Sequence, residues 1–234
     1  MSLTLGRGPL GPNPAGRLNF EVAKRVVLVE PLGRRVHAVR HGQTVIDSDD
    51  VKLVHESGKL PRYLIPAKHV HVESEAFPDV DEHVVVDWDA VDAWFEEDER
   101  VLVHPRDPYH RIDTFGTSRR IELRVDGALL ASSTRARALY ETGLPVRYYL
   151  PRADVDWELL VPSALVTQCA YKGAARHWSA VVDGRTYDDV AWSYEDEVRR
   201  EGETVRHLVA FYDERVDLDV DGTRMTRVDT PWSR

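Results

Sequence analysis

Apolar and polar residues alternate through much of this chain at the two-residue period of half-buried strands. Ile121, Leu123 and Val125 share one face, with Glu122 and Arg124 on the other. Asp126-Gly127 marks a turn, since glycine accepts positive φ, and a return strand follows. Ser133-Thr134 then reads as the cap of a short helix. Ala136, Leu139 and Tyr140 fall at helical i, i+3, i+4 spacing, and Gly143 supplies the stop. Arg147-Tyr148-Tyr149-Leu150 is a further strand, ending at Pro151. The prediction is a mainly β protein with short helices.

The same pattern occurs earlier at a constant offset of 85 residues, read by setting Arg34 against Arg119. Arg34-Arg35-Val36 aligns with Arg119-Arg120-Ile121, Gly42 with Gly127 and Ser48 with Ser133. His55-Glu56-Ser57-Gly58 aligns with Tyr140-Glu141-Thr142-Gly143, and Arg62-Tyr63-Leu64-Ile65-Pro66 with Arg147-Tyr148-Tyr149-Leu150-Pro151. No gap is needed, so the chain reads as two copies of one unit. Val51, Val54 and His55, stopped by Gly58, predict the short helix of the first copy. The second halves differ. Copy two holds extra material, roughly Val161 to Glu201, before Val209-Ala210-Phe211-Tyr212; copy one passes directly to Val84-Val85-Val86. The expected organisation is a flexible Gly/Pro-rich lead-in over 1–16, a degenerate first repeat with linker over 17–116, and a complete second domain over 117–234.

The 234 residues carry 31 basic and 40 acidic side chains, a formal net charge of -9. That balance gives no general attraction to nucleic acid or to anionic membranes, so neither is expected as a partner. No apolar run reaches the length of a membrane span. Cys169 is the single cysteine. It leaves no internal disulfide and no thiolate cluster for zinc, and it fits a reducing, cytoplasmic setting. His69, His71 and His83 lack metal-ligand spacing, and neither metal nor cofactor is expected.

The extra segment concentrates the chemistry. It opens with Cys169-Ala170-Tyr171-Lys172-Gly173, continues through His177-Trp178-Ser179 to a turn near Asp183-Gly184, and returns to Trp192-Ser193-Tyr194. A two-residue turn would put Trp178 and Trp192 on opposite faces. A three-residue loop, Val182-Asp183-Gly184, would gather them on one face and is the expected form. The candidate catalytic groups are Cys169, Lys172 and His177. A thiolate activated by the neighbouring lysine or histidine would be a nucleophile, whereas a lone cysteine is more often a small buried apolar group. Lys172, one of five lysines against twenty-six arginines, would anchor an anionic or carbonyl group, or be a solvated surface residue. Tyr171, Trp178, Ser179 and Trp192 are candidate ligand-binding residues, as are Ser193, Tyr194 and Tyr212. Trp157 belongs to the same aromatic set, and plain core packing is the competing role for all of these rings. Glu141 with Arg147 recurs as Glu56 with Arg62, which points to a structural ion pair. Arg40-His41-Gly42 is similar to a histidine-phosphatase signature, but His41-Gly42 aligns with the hairpin turn at Asp126-Gly127, so the match is read as coincidence.

The run Cys169, Tyr171-Lys172-Gly173, Ala175 and Trp178-Ser179, followed by Ala191-Trp192-Ser193-Tyr194 and Ala210-Phe211-Tyr212, resembles the bacterial and fungal DUF427 family. The resemblance implies two tandem β-tent-like domains, the first degenerate, similar in shape to methionine sulfoxide reductase B and the thalidomide-binding domain of cereblon. The family's nucleotidyltransferase label is discounted, because no Gly-Ser with paired aspartates is present. The expected function is small-molecule binding in an aromatic-lined pocket of the second domain, with any catalysis left open. The alternative is a protein-interaction or self-associating module, forming a homo-oligomer through a copy-one surface at Trp94-Phe95. Phosphate-ester hydrolysis and nucleotidyl transfer are the remote alternatives.

Overall fold

The computed structural model describes residues 3–78, 80–228, 230 and 233. It divides into two units, one running to His110 and including Thr142–Leu144, the other holding Arg111–Glu141 and the chain from Pro145 onward. Both are built almost wholly of antiparallel strands. Among the described residues, no helix is long and apolar enough to cross a membrane.

Among the described residues the first unit has nine strands. They are β1 (Val27–Pro31), β2 (Val36–Arg40), β3 (Gln43–Ser48), β4 (Lys52–Glu56), β5 (Arg62–Pro66), β6 (Glu75–Ala76), β7 (His83–Val85), β8 (Ala93–Glu96) and β9 (Glu99–Val101). One sheet has the order β1-β4-β5-β7-β6 and the other β3-β2-β8-β9. Val36 and Ala38 from one sheet meet Leu53, Tyr63 and Ile65 from the other in the core between them. Val54 and Leu64, on the reverse face of the larger sheet, join Phe77 and Val85 in a smaller cluster.

The second unit continues with β10 (Ile112–Gly116), β11 (Ile121–Val125), β12 (Ala128–Ser133), β13 (Arg137–Glu141), β14 (Arg147–Leu150) and β15 (Leu160–Cys169). It ends with β16 (Gly173–Val182), β17 (Arg185–Val198), β18 (Val209–Phe211), β19 (Asp217–Val220) and β20 (Thr223–Arg224). Its sheets run β10-β13-β14-β18-β17-β16-β15 and β12-β11-β19-β20. The first unit shows the same order up to β6, which pairs with β7 as β17 pairs with β18. Local details recur at matching positions: a bulge after Ala38 and after Leu123, and a lone bridge at Ile46–Val70 and at Ala131–Val155.

The short helices expected after Ser133 and over Val51–His55 are strands β13 and β4. Both lie inside a sheet, and adjacent residues of each are buried: Ala138 and Leu139 in one, Leu53 and Val54 in the other. A strand covered on both faces loses its alternation, and its apolar run passes for a helix face. Single 3-10 turns stand elsewhere, at Ala67–His69 and Arg152–Asp154 among others. The expected lead-in is anchored at Thr4, which is buried and donates its hydroxyl to the Glu56 carbonyl at 2.9 Å.

Candidate functional site

Strands β16 and β17 set the geometry of the expected site. Val182 pairs with Arg185, so Asp183-Gly184 is a two-residue turn, with both residues at positive φ. The three-residue loop expected from the sequence is therefore wrong. Trp178 pairs with Ala191 and His177 with Trp192. Side chains alternate across a strand, so the two tryptophans point to opposite faces. Trp178 enters the core between the sheets, with its ring edge-on to Trp157 at 5.5 Å. Trp192 enters the cluster on the reverse face. No single pocket is walled by both.

The reverse face brings several predicted residues together. Trp192 donates from Nε1 to the Tyr149 hydroxyl at 3.2 Å and lies 4.3 Å from the Tyr212 ring. Tyr194 is buried there, and Cys169 packs against the same cluster half-buried. The His177 ring stacks on Tyr212, with Nε2 at 3.3 Å from its hydroxyl. Burial pushes the His177 pKa below its ordinary value, against backbone hydrogen bonds that favour the charged ring. Tyr171 is buried, Ser193 is buried and donates to Glu195, and the Ser179 hydroxyl accepts from the Asp189 amide at 3.1 Å.

Lys172 is 5% exposed and its ammonium is ion-paired with Glu141. Burial alone would lower its pKa, but the Glu141 charge and the hydrogen bond it accepts hold the lysine above its ordinary value. Tyr149 beside it is pushed up to about 12 by burial, with Lys172 and the Trp192 hydrogen bond opposing. A protonated, paired lysine is no nucleophile and offers an incoming anion little. Its presence also redirects the expected structural pairs. Arg62 pairs with Glu56 at 2.6 Å in the first unit. In the second, Glu141 is taken by Lys172, and Arg147 pairs with Asp213 and Glu214 instead.

A cavity of about 520 Å³ opens in the first unit, a size within the ~300–1,000 Å³ usual for small-molecule sites. Tyr63, Trp88 and Trp94 supply aromatic wall, and Arg62, Glu75 and His104 are among the polar lining. Trp88 and Trp94 stack at 5.4 Å, and Tyr63 leans on Trp94 at the same separation. The Tyr63 hydroxyl donates to Glu96 at 2.7 Å, and Trp94 Nε1 donates to the Trp88 carbonyl at 3.0 Å. Burial, with the Glu96 charge and hydrogen bond, holds the Tyr63 hydroxyl well above its ordinary pKa. His104 accommodates its burial by a lowered pKa, with Nδ1 2.7 Å from the Pro105 carbonyl.

The two units differ at the sheet edge. In the second unit, β16 and β17 send Trp178, Ala180, Val182 and Val190 between the sheets. In the first unit the sheet ends at the two-residue β6, and Glu75 of that strand lines the opening. The extra hairpin was expected to form a pocket, whereas its apolar side chains are packed in the second unit's core. Trp88 and Trp94, six residues apart in the first unit, were the available signal. The expected exposure of Trp94 is also corrected. It is 2% exposed, and Phe95 stacks on His37 at 4.6 Å. His41-Gly42 forms the β2–β3 turn, at positive φ.

Fold and site together define an antiparallel β protein of two units, each with two sheets, with an aromatic-walled cavity in one unit and a packed core in the other. Residues 113–222 match the family described as "Domain of unknown function (DUF427)". Apart from Thr142–Leu144, that span falls in the second unit, and it contains the motif run from Cys169 to Tyr212. No curated protein matches the chain.

Proposed function

We propose that the protein binds a small molecule in the cavity of its first unit, and that the two units are copies of one domain, of which only the second kept the hairpin. The cavity carries the reading. It is large enough for a metabolite, walled by Tyr63, Trp88 and Trp94, and rimmed by ionisable side chains. Aromatic walls with a few placed polar groups are the usual make-up of such sites. The shared strand order, with bulges and bridges at matching positions, supports duplication. The single cysteine favours a reducing compartment such as the cytoplasm.

The second unit acts as scaffold in this reading. Its predicted site residues are spent on each other: Lys172 on Glu141, His177 on Tyr212, Trp192 on Tyr149. The test is a small-molecule fragment screen by ligand-observed NMR, on the wild type and on Ala90→Phe, which places a ring in the cavity. Hits that the substitution removes support the reading. Hits indifferent to it, or none at all, refute it.

A further inference from the structure

The charge and polarity of the cavity lining narrow the ligand further. Glu73, Glu75 and Asp87 bring three carboxylates to the lining. Arg62 is the lining guanidinium, and it is held at 2.6 Å by Glu56. His104 stays neutral near pH 7, because burial lowers its pKa. The net field at the mouth is therefore negative, in a chain of net charge -9. An anionic ligand would meet repulsion here.

The inner wall is different. Tyr63 has committed its hydroxyl to Glu96 and Trp94 its N–H to the Trp88 carbonyl. Both rings line the cavity from the core with their polar atoms engaged, beside the half-buried Trp88 ring and the apolar Val85, Val86 and Ala90. Such a surface attracts positive charge through the ring quadrupole but offers few partners for N–H donors. A primary ammonium held at that wall would give up hydration that the rings do not replace, because the lining carboxylates belong to exposed residues. A cation whose charge is spread over methyl groups gives up much less.

We propose that the cavity takes a small quaternary ammonium compound, its methylated cation against Trp88, the least covered of the three rings, and its field supplied by Glu73, Glu75 and Asp87. This rests on the cavity being the binding site. The cationic head needs only part of the 520 Å³, so the ligand carries a further uncharged or polar portion toward the mouth.

The experiment titrates the full chain, at low salt, with choline, tetramethylammonium and 3,3-dimethyl-1-butanol, the neutral isostere of choline. Binding is read by calorimetry and by tryptophan fluorescence. Choline is expected to bind about 5- to 30-fold more tightly than the isostere, the discrimination a desolvated cation–π contact supplies. Trp88→Leu, at a half-buried position, should weaken choline by about tenfold or more, and Glu75→Gln, at an exposed one, by roughly threefold. Circular dichroism of both variants confirms that they are folded. Equal or tighter binding of the isostere, or choline binding untouched by Trp88→Leu, overturns the cation. In the first case, binding lost in Ala90→Phe shows that the cavity itself still stands. Failure of all three probes overturns the cation, and failure of the fragment screen as well removes the site.

Discussion

Lys172 and Glu141 form an ion pair with both side chains only 7% exposed. They come from different strands of one sheet region, Glu141 at the end of β13 and Lys172 just before β16. An unpaired charge at that depth is costly, whereas an apolar pair of similar volume is tolerated. Lys172→Met should therefore destabilise the protein by about 3–5 kcal/mol. Adding Glu141→Leu should restore most of the loss. Urea denaturation of the two variants decides the point, and an additive double variant would deny the coupling.

Trp178 should behave as a core residue. It is 9% exposed and packs with Trp157 and the inter-sheet cluster. Trp178→Ala should cost about 3–5 kcal/mol, from lost burial and the void left behind. A melting temperature near that of the wild type would mean that the ring lines an open site after all.

Two glycines of the hairpin should differ sharply. Gly184 has a φ of +77°, and a Cβ there meets nothing within 4 Å. Gly184→Ala should cost about 1–2 kcal/mol, from the left-handed backbone alone. Gly173 has a φ of +100°, and a Cβ would collide with the Glu197 carbonyl oxygen. Gly173→Ala must move backbone and should cost clearly more. Parallel thermal melts test the ranking.

Stability should decline on mild acidification because of His177. Its folded pKa lies below the ordinary 6.5, since burial disfavours the charged ring. Below that pH the unfolded chain binds the proton more readily, so stability held above about pH 6.5 is lost as the pH falls toward the folded value. His177→Gln should flatten that part of the profile. Glu214 acts in a lower window. Burial would raise its pKa, but hydrogen bonding and charge from Arg147 hold it below 4.5. Its contribution is present above pH 4.5 and disappears only as the pH falls through its folded value. Denaturation midpoints from pH 7.5 to 4, with and without His177, separate the two.

The positions of the turns were the most legible feature, although the length of the turn at Asp183-Gly184 was not. His41-Gly42, Asp126-Gly127 and Asp183-Gly184 each end in glycine, and each carries both residues at positive φ. Strands with one buried face, such as β11, also announced themselves by alternation. Strands β4 and β13 did not, because adjacent residues of each are buried on opposite faces. The Glu56–Arg62 pair could be anticipated. Its counterpart could not, because Lys172 lies thirty-one positions from Glu141 and reaches it only through the folded sheet.

Local chemistry thus accounts for the β content, the turn positions and the pattern that recurs 85 residues apart, since each depends on neighbours along the chain. The faces taken by Trp178 and Trp192, and the position of the empty space, depend on register across several strands and on which strands are present at the sheet edge. The hairpin packs into the core of the second unit, and the cavity lies in the first, where the sheet ends at β6; both are relations between distant segments that only packing can express.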